Sequence, residues 1–417
     1  MFMRPSLSFT DRADWKNYCI NELCDILTGY PFEGNTIKSK GKNALMRGIN
    51  ITEGYIRHSQ DIDRFFDGDA SVLSKYRLNL NDLVIGMDGS KVGKNSALVT
   101  NKEIGALLVQ RVARLRSTDI DTIKLLLQLF GSNRFFKYVD NIKTSSAIPH
   151  ISLADIKQFV VALPTNEHEK NLLSSFCELV REHITLTQSQ LYKLHQIKSA
   201  CLQSMFPQEG ESVPKVRFKG FNEEWKNDKL SKFVSRITRK NKNLESNLPL
   251  TISAADGLVS QLQYFNNIVA SANLSGYYLI KNGEFAYNKS YSNGYPFGSI
   301  KRLDKYDMGA LSTLYIVFGI KDNALGIDSD YLTTFFSTTL WHHEVAERAE
   351  EGARNHGLLN IGADDFLDIN IIYPKDLAEQ QQIAVYFENL DKQISLQTQR
   401  LEKLKQIKSA CLDKMFV

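Results

Sequence analysis

Two long stretches of the chain carry their apolar residues on a single narrow helical stripe. Over 173–205, and again over 383–415, apolar positions recur mostly at steps of three and four, and neither stretch contains Gly or Pro. The pattern predicts two helices of about 40 residues, each roughly 60 Å long at about 1.5 Å per residue. A narrow stripe on two similar helices favours their packing against each other as a coiled coil, with two separate core helices as the alternative.

A helix-start signal precedes each stripe. Asn166 is followed three residues later by Glu169, and Asp376 is followed by Glu379 in the same way. Asn and Asp side chains accept hydrogen bonds from the unpaired N–H groups of a first helical turn, and a Glu at the third position can bond back to the cap residue. We therefore expect the two helices to begin directly after Asn166 and Asp376.

The segments ahead of the helices have shorter patterns. Apolar runs at 82–86, 105–109 and 314–318 predict strands, whereas 120–130 and 330–348 predict helices. Each segment has about 150 residues, which is enough for a hydrophobic core of its own. The sequence therefore predicts two mixed α/β heads, one before each long helix.

The chain contains an internal repeat. Residues 191–206 read LYKLHQIKSACLQSMF and residues 401–416 read LEKLKQIKSACLDKMF, which are identical at 12 of 16 positions with an offset of 210. The same offset aligns Trp15 with Trp225, and both are followed by Lys and Asn. Outside these shared segments the heads have little sequence in common, which indicates a duplicated scaffold whose heads have diverged.

These patterns also predict the domain boundaries. The predicted division is a first head over 1–164, a long helix over 165–206, a linker over 207–224, a second head over 225–374 and a second long helix over 375–417. The linker begins with a polar segment that carries Pro and Gly, as connectors commonly do.

The composition narrows the class of protein. Of the 417 residues, 43% are hydrophobic and 24% are charged, which is typical of a globular chain with several domains. The sequence has no apolar run long enough for a membrane-spanning helix and no secretory leader, and its five cysteines form no CxxC pair. We therefore expect a cytoplasmic protein with reduced thiols. The net charge of +4 permits nucleic-acid binding without arguing for it.

The sequence contains no recognisable catalytic motif. The loop 87–95 superficially suggests a phosphate-binding loop, but Asp88 and Asn95 stand where that motif requires Gly and Ser or Thr. The segment 341–344 holds two adjacent histidines without the HExxH spacing of a zinc site. Nucleophile-elbow, Cys/His and Gly-rich cofactor signatures are also missing. The prediction is a non-catalytic protein with no cofactor and no metal.

Polar and basic loops in both heads are candidate DNA contacts. Loop 87–95 combines Gly with Ser, Lys and Asn, loop 285–297 interleaves aromatic residues with Asn and Lys, and 143–146 and 353–356 occupy equivalent places ahead of the long helices. Lys neutralises phosphates, whereas Asn and Arg pair with base edges, and Arg354 is favoured most because Arg can bind guanine through two hydrogen bonds. The candidate residues are Ser90, Lys91, Lys94, Asn95, Lys143, Ser145, Lys289, Tyr291, Asn293, Tyr295, Arg354 and Asn355.

Plainer structural interpretations of these segments stay open. Loop 87–95 has the composition of an ordinary surface turn, and Phe285 and Phe297 suit the core side of a hairpin. The run 229–243 holds six Lys and Arg without an acid. Its favoured interpretation is a solvated helix face, with phosphate contact as the alternative.

Together these features resemble the specificity subunit of type I restriction-modification systems. The resemblance covers essentially the whole chain and rests on the LxKLxQIKSACLxxMF helix end, which occurs twice, on a Pro-x-hydrophobic-x-Phe segment ahead of each head, and on the helix entry from Pro374 to Gln380. The first copy departs from the second at this entry, because Lys170 stands where the second has Gln380. The resemblance implies the fold class α+β, with two mixed α/β target-recognition domains in a pseudo-twofold arrangement, separated by two long antiparallel helices that form a coiled coil.

The resemblance also implies a function and partners. A subunit of this kind recognises a bipartite, asymmetric site on double-stranded DNA, and it docks two DNA adenine methyltransferase (modification) subunits, which motor-endonuclease (restriction) subunits can join. It supplies no catalysis and no cofactor, and it has no membrane partner. The alternative from a different class is a structural adaptor with two protein-binding heads on a coiled-coil strut. A steep loss of DNA binding with salt would separate the two.

Overall fold

The structure is a computed structural model. It describes residues 15–415 apart from 90, 144–148, 209, 254, 255, 268, 272, 291–293 and 350–358. The chain divides into two compact units, which we call unit 1 (Met1–Ser189 with Thr398–Val417) and unit 2 (Gln190–Gln397). Each unit therefore combines one head with a part of both long helices.

Unit 1 is built from short strands and helices that precede the first long helix. Its described strands are β1 (Trp15–Cys19), β2 (Asp25–Thr28), β3 (Ile37–Lys38), β4 (Asn43–Met46), β5 (Phe65–Phe66), β6 (Leu83–Gly86), β7 (Ser96–Leu98), β8 (Leu107–Leu108), β9 (Val112–Arg116) and β10 (Val160–Pro164). Its described helices are α1 (Ile20–Leu23), α2 (Ile120–Phe130), α3 (Asn133–Ile142), α4 (Leu153–Gln158) and the first part of α5 (Glu167–Ser204).

Unit 2 repeats this arrangement with its own strands and helices. Its described strands are β11 (Lys226–Lys229), β12 (Val234–Arg236), β13 (Leu250–Ser253), β14 (Gly257–Ser260), β15 (Tyr278–Lys281), β16 (Phe285–Asn288), β17 (Ser299–Arg302), β18 (Met308–Leu311), β19 (Ile316–Ile320) and β20 (Asn370–Tyr373). Its described helices are α6 (Gln261–Phe265), α7 (Ser329–Phe335), α8 (Leu340–Arg348), α9 (Ala363–Leu367) and the first part of α10 (Leu377–Met415).

The two heads share the topology of one four-stranded sheet, whereas other strands pair as β3-β5-β4-β8 in unit 1 and as β13-β14 and β15-β18 in unit 2. An antiparallel four-stranded sheet has the order β2-β9-β6-β7 in unit 1 and β12-β19-β16-β17 in unit 2. In each head a separate antiparallel pair, β1 with β10 or β11 with β20, joins the start of the head to the strand that leads into the long helix. This mixture of helices and strands confirms the predicted α+β class, and it shows that heads of unlike sequence keep the same framework.

Each head has its own hydrophobic core. In unit 1 the sheet packs against α2 and α3 through aliphatic residues and through Phe130 and Phe135, whose ring centroids are 4.5 Å apart. In unit 2 the corresponding core is more aromatic, with Tyr287 stacked on Phe366 at 4.5 Å and with Trp341 buried beside them. Different side chains thus fill the same framework, as expected when volume and apolar character matter more than identity.

Most predicted elements of the heads are found, but the second predicted helix is interrupted. Helix α2 occupies 120–130 as predicted, but the helix predicted over 330–348 is divided into α7 and α8. The division falls at Thr338, whose hydroxyl donates to the carbonyl of Phe335 at 2.7 Å and accepts from the amide of Leu340 at 3.3 Å. Ser and Thr side chains compete with the helix for backbone groups, and a run of them ends α7 here.

The basic run 229–243 is not a helix face. It contains a 3₁₀ turn at Leu230–Lys232 and strand β12, which pairs with β19, so the predicted helix is wrong. Several of its bases have acidic partners from outside the run: Lys229 pairs with Asp368 at 2.8 Å and Arg239 with Glu284 at 2.8 Å. Apolar side chains that alternate with the bases are buried in the core of unit 2, which favours a strand over a helix.

The long helices begin at the predicted caps. The side-chain oxygen of Asn166 accepts from the amides of His168 and Glu169 at 2.9 and 3.2 Å, and that of Asp376 accepts from the amide of Ala378 at 2.8 Å. The helices that follow, α5 and α10, have 38 and 39 residues.

The two cap glutamates make other contacts than the predicted bond back to the cap. Glu169 accepts a hydrogen bond from the indole N–H of Trp15 at 3.0 Å. Glu379 is buried and accepts two hydrogen bonds from Arg217, at 2.6 and 2.8 Å. A charge-assisted bidentate pair is stronger than a bond to a cap amide, so partners distant in sequence hold these carboxylates.

The long helices run antiparallel within each unit. In unit 2, Lys198 of α5 pairs with Asp391 of α10 at 2.6 Å, while Cys201 contacts the hydroxyl of Tyr386 at 3.3 Å. A higher residue number on one helix thus faces a lower one on the other, and this confirms the predicted antiparallel packing. In unit 1, Leu412 near the end of α10 is buried in the same cluster as residues of the first turns of α5.

One position of the predicted apolar stripe is exposed in both copies, whereas the other described positions are buried or half-buried. Ile197 and its repeat counterpart Ile407 are 46% and 41% exposed. They lie within the QIKSACL sequence that both copies share, and the residues around them have the same pattern of exposed and half-buried positions in both copies. Because a two-helix seam covers only a narrow arc of each helix, the edge of the stripe stays open to solvent.

Lys170, which stands where the second repeat has Gln380, keeps the contact between the long helix and the head. The Lys170 ammonium donates to Asp119, the residue that caps α2, at 2.5 Å. In unit 2 the side-chain oxygen of Gln380 accepts from the amide of Asp328, which caps α7, at 2.8 Å. Burial alone would raise the pKa of Asp119, but the hydrogen bonds from Lys170 and Thr122 outweigh it and hold this pKa below its ordinary value.

Replacing Lys170 by Met is therefore expected to lower the free energy of unfolding by about 1–3 kcal/mol, because the Asp119 carboxylate loses a charged partner in a partly buried place. Lys170→Gln, which copies the second repeat, is expected to lose less. Because the folded state lowers the pKa of Asp119, the difference from the wild type should shrink as the pH falls below about 4. Urea unfolding checks this, with the exposed Lys193→Met on the same helix as the control. An equal loss in both Met variants would contradict the role of Lys170.

Candidate nucleic-acid interface

The two loops chosen from the sequence connect equivalent strands. Residues 87–95 close the hairpin of β6 with β7, and residues 289–298 close the hairpin of β16 with β17. These strands are the third and fourth of the shared sheet order in both heads. Gly86 and Asn288, the last residues before the two loops, differ by 202 in number and not by 210. The structure thus makes the loops counterparts, which the offset of the repeat did not reveal.

Glycine is required where each loop turns back. Gly93 has a φ of 76°, and a Cβ there would lie 2.7 Å from a methyl group of Val139 on α3. Gly298 has a φ of 78°, and a Cβ there would lie 2.0 Å from the carbonyl oxygen of Asn288. Only a residue without a side chain fits such places, so both loops fold tightly onto their own head.

In unit 1 the hairpin loop is hydrogen-bonded to the residues directly ahead of α4. The amide of Gly89 donates to the carbonyl of Pro149, and the amide of Ile151 donates to the carbonyl of Met87, both at 3.0 Å. The ring nitrogen Nδ1 of His150 lies 2.7 Å from a carboxylate oxygen of Asp88. These contacts bring the loop beside residues 149–151, the described residues that lead into α4.

Unit 2 has the same connection. The amide of Leu359 donates to the carbonyl of Lys289 at 3.0 Å, and the ammonium of Lys289 donates to the carbonyl of Ile361 at 3.1 Å. Burial, together with the charge of Arg236, lowers the pKa of Lys289. Lys289 therefore holds the loop to the segment ahead of α9, and its predicted contact with DNA stays a prediction.

Three candidate residues of unit 1 are exposed lysines. Lys91 pairs with Glu53 at 3.2 Å and Lys143 pairs with Asp140 at 2.8 Å, and all four side chains are exposed. Exposed ion pairs of this kind contribute little, so both ammonium groups can exchange their carboxylate for a phosphate. Lys94 is also exposed, and its ammonium lies 4.9 Å from the centre of the Phe136 ring.

The remaining candidates are half-buried, exposed or outside the described residues. Asn95 is half-buried, and its carbonyl accepts from the amide of Gly86 at 2.9 Å, which closes the first hairpin. Tyr295 is exposed, and its carbonyl accepts from the amide of Gly298 at 3.1 Å. The candidates outside the described residues are Ser90, Ser145, Tyr291, Asn293, Arg354 and Asn355.

Three further features of the described residues concern metal binding, thiol reactivity and membrane crossing. Within the part of the chain that the structure describes, there is no cluster of three or more His, Cys, Asp or Glu side chains placed to hold a metal ion. Burial raises the pKa of the Cys177 thiol to about 12, with a smaller contribution from Cys411, so this thiol stays protonated near neutral pH. Among the described helices, none has the length and apolar character needed to cross a membrane.

The family of the chain follows from its comparison with known proteins. A family model described as the type I restriction modification DNA specificity domain matches residues 12–196 and 266–406. The two matched segments together contain most of the chain. The chain therefore belongs to the family of type I restriction-modification DNA specificity proteins.

Individual relatives agree with this assignment. The specificity subunit of the type I restriction enzyme EcoAI from Escherichia coli is 24% identical over 169 residues, which are 40% of this chain and 28% of that subunit. This match thus spans less than a third of the relative. The crystal structure of a type I S subunit from M. genitalium has the same fold, with a TM-score of 0.65, 14% identity, and coverage of 100% of this chain and 99% of the other. These findings confirm the resemblance to type I restriction-modification specificity subunits that was stated from the sequence.

Proposed function

We propose that this chain is the DNA sequence-recognition subunit of a type I restriction-modification complex. In this role it recognises a bipartite, asymmetric DNA site and directs partner adenine methyltransferase and endonuclease subunits to it. The observation that carries the proposal is the pair of counterpart hairpin loops, one in each head, each hydrogen-bonded to the residues directly ahead of α4 or α9. Family membership makes DNA the expected ligand of these loops.

The asymmetry of the site follows from the loop sequences. Residues 87–95 read MDGSKVGKN, whereas residues 289–298 read KSYSNGYPFG. A common backbone position with different side chains presents different hydrogen-bonding groups to base edges. One head therefore recognises one half-site and the other head recognises a different one, while lysines outside the readout contact phosphates.

The repeated helix segment supports the proposal that two copies of one partner bind this chain. Within the shared QIKSACL sequence four residues are exposed in both copies: Gln196, Ile197, Ser199 and Ala200 correspond to Gln406, Ile407, Ser409 and Ala410. Packing within the chain does not explain identity at exposed positions. We call these eight residues the repeat face. An exposed isoleucine among small and polar residues suits a protein contact, and two identical faces suit two identical subunits.

The methyltransferase is the partner of the repeat face in this proposal. A DNA adenine methyltransferase must extrude its target base from the helix to reach the amino group, and it depends on another component to select the base. The specificity subunit supplies that selection without contributing chemistry, and this agrees with its lack of catalytic motifs. The endonuclease subunits would join the assembled methyltransferase.

Replacing Lys91 and Lys143 together by Ala tests DNA binding by the first head. Each lysine that contacts a phosphate contributes about one unit to the slope of log affinity against log salt, so the double variant is expected to reduce this slope by about two. Fluorescence anisotropy with duplex DNA, on the chain assembled with its methyltransferase, measures the slope. The control is Lys102→Ala, an exposed lysine elsewhere in the same head. Binding without salt dependence in the wild-type complex would instead favour the structural adaptor.

A further inference from the structure

Unit 1 contains a cavity that the proposed function does not use. It has a volume of about 730 Å³ and lies between the loop at Glu53–Tyr55, the α2–α3 turn and the two long helices. This volume is within the usual range of small-molecule sites. Two acidic residues line the cavity, Glu53 and Asp413. The basic residues that line it are Lys94, Arg181, Lys405 and Lys408.

Two of these bases face each other where the other repeat has an ion pair. Lys198 and Lys408 are counterparts at the offset of 210, and so are Asp391 and Arg181. In unit 2 Lys198 pairs with Asp391 at 2.6 Å. In unit 1 the same two positions hold Lys408 and Arg181, which repel each other, so the duplicated scaffold has a carboxylate replaced by a second cation at this cavity.

The charge of Lys408 is not matched within the described residues. No ion pair or hydrogen bond holds its ammonium there. Burial lowers the pKa of Lys408, and the opposing effects of Cys177 and Glu53 do not outweigh burial and the repulsion from Arg181. Among the residues that the structure describes, the acid paired with Arg181 is Glu178 at 3.7 Å, and Glu178 is itself bonded to Lys124 at 2.5 Å. Glu53, one of the two acids that line the cavity, pairs with Lys91 at 3.2 Å. Two like charges in a half-buried place are unfavourable unless an anion joins them.

The corresponding place in unit 2 is smaller. A cavity of about 280 Å³ lies there between the end of α5 and the α7–α8 turn, and Lys198 lines it. Since Lys198 is neutralised by Asp391, that cavity has no excess of positive charge at this position. Enlargement and charge reversal thus occur together in unit 1 alone, which points to a ligand and not to a general property of the fold.

We propose that the cavity of unit 1 binds a free phosphate-bearing small molecule of nucleotide size. Arg181 and Lys408 would hold its phosphate through charge-assisted hydrogen bonds. The aromatic rings of Tyr55 and Phe136, which also line the cavity, offer faces on which a base can stack. Lys94 of the hairpin loop 87–95 lines the cavity, and Glu53, which also lines it, pairs with Lys91 of the same loop. A bound ligand would therefore lie beside the loop that is proposed to contact DNA.

Isothermal titration calorimetry on the full chain tests this site, with ATP, AMP and adenosine as the probes. We expect ATP to bind more tightly than AMP, and adenosine to bind weakest, because the cations contact the phosphates. Arg181→Asp recreates the ion pair of unit 2 and is therefore expected to fold at least as stably as the wild type. It should weaken ATP binding by at least about tenfold, the usual effect of losing a charged hydrogen bond.

The control is Lys198→Gln, which changes the counterpart lysine in unit 2 and should leave ATP binding unchanged. Three outcomes would overturn the proposal: no heat with ATP at about millimolar concentration, equal affinity for ATP and adenosine, or equal ATP affinity in Arg181→Asp and the wild type. Displacement of ATP by duplex DNA, together with weaker DNA binding by Arg181→Asp, would also overturn it, because the phosphate would then belong to the DNA backbone. The site does not depend on the proposed function, since ATP binding is measured without DNA.

Discussion

Replacing Ile197 and Ile407 together by Asp is expected to abolish assembly of the chain with its methyltransferase partner. Both isoleucines are exposed and occupy the centre of the two copies of the repeat face. An apolar residue at the centre of an interface contributes about 2 kcal/mol or more, and a buried unpaired carboxylate adds a further cost. Each single variant is expected to lose one partner and to keep the other, because the two faces bind independently.

Light scattering after size-exclusion chromatography measures these stoichiometries. We expect two methyltransferase subunits per wild-type chain, one for either single variant and none for the double variant. The matched control is Leu179→Asp, since Leu179 is also exposed on α5 but has Asn389 as its counterpart and so is not part of the repeated pattern. If the double variant still bound two methyltransferase subunits, or if Leu179→Asp lost as many, the repeat face would not be the methyltransferase-binding surface.

Lengthening both long helices by about one turn is expected to change the gap between the half-sites and not their sequences. Four residues extend an α-helix by about 6 Å, which corresponds to roughly two base pairs at about 3.4 Å each. The insertions belong between Ser189 and Gln190 and between Gln397 and Thr398, where the division between the units crosses each helix. Antiparallel pairs such as Lys198 with Asp391 then keep their register on both sides of the insertions.

An insertion into one helix alone is the control. It shifts the antiparallel pairs against each other, so it is expected to lower the stability of the chain and not to yield a new gap. The readout for both variants is the set of methylated sites, in which each half-site can be followed separately. An unchanged gap in a stably folded double-insertion variant would show that the helices do not set the distance between the half-sites.

The long helices were predicted well because their determinants are local. Apolar spacing and the caps at Asn166 and Asp376 act within a few residues, and both caps are found. The cap glutamates were predicted less well, since Glu169 and Glu379 bond to Trp15 and Arg217, which lie far away in the sequence. A charged partner that the fold brings close overrides a local preference, and the local pattern gives no sign of it.

The candidate interface was predicted only in part for a similar reason. Composition picked out both hairpin loops, but it could not show that they are counterparts, because within the heads they are related by an offset of 202, whereas the shared segments on both sides are related by 210. The contacts of Asp88 with His150 and of Lys289 with Ile361, which join each loop to the following segment, depend on tertiary packing alone. Both loops carry glycines with a positive φ, Gly89 and Gly93 in one and Gly294 and Gly298 in the other, and this shared glycine content is a sequence signal that could have suggested the correspondence.

The central claim, that the two heads together select a split DNA site for methylation, is tested most directly by mapping methylated adenines. The DNA comes from cells that express the methyltransferase partner with this chain, without it, and with a variant in which residues 87–95 are replaced by a glycine-rich loop. We expect an asymmetric bipartite motif that requires the chain, and in the loop variant a motif that is relaxed in one half-site only. An active methyltransferase whose methylation pattern is the same with and without the chain would contradict the account.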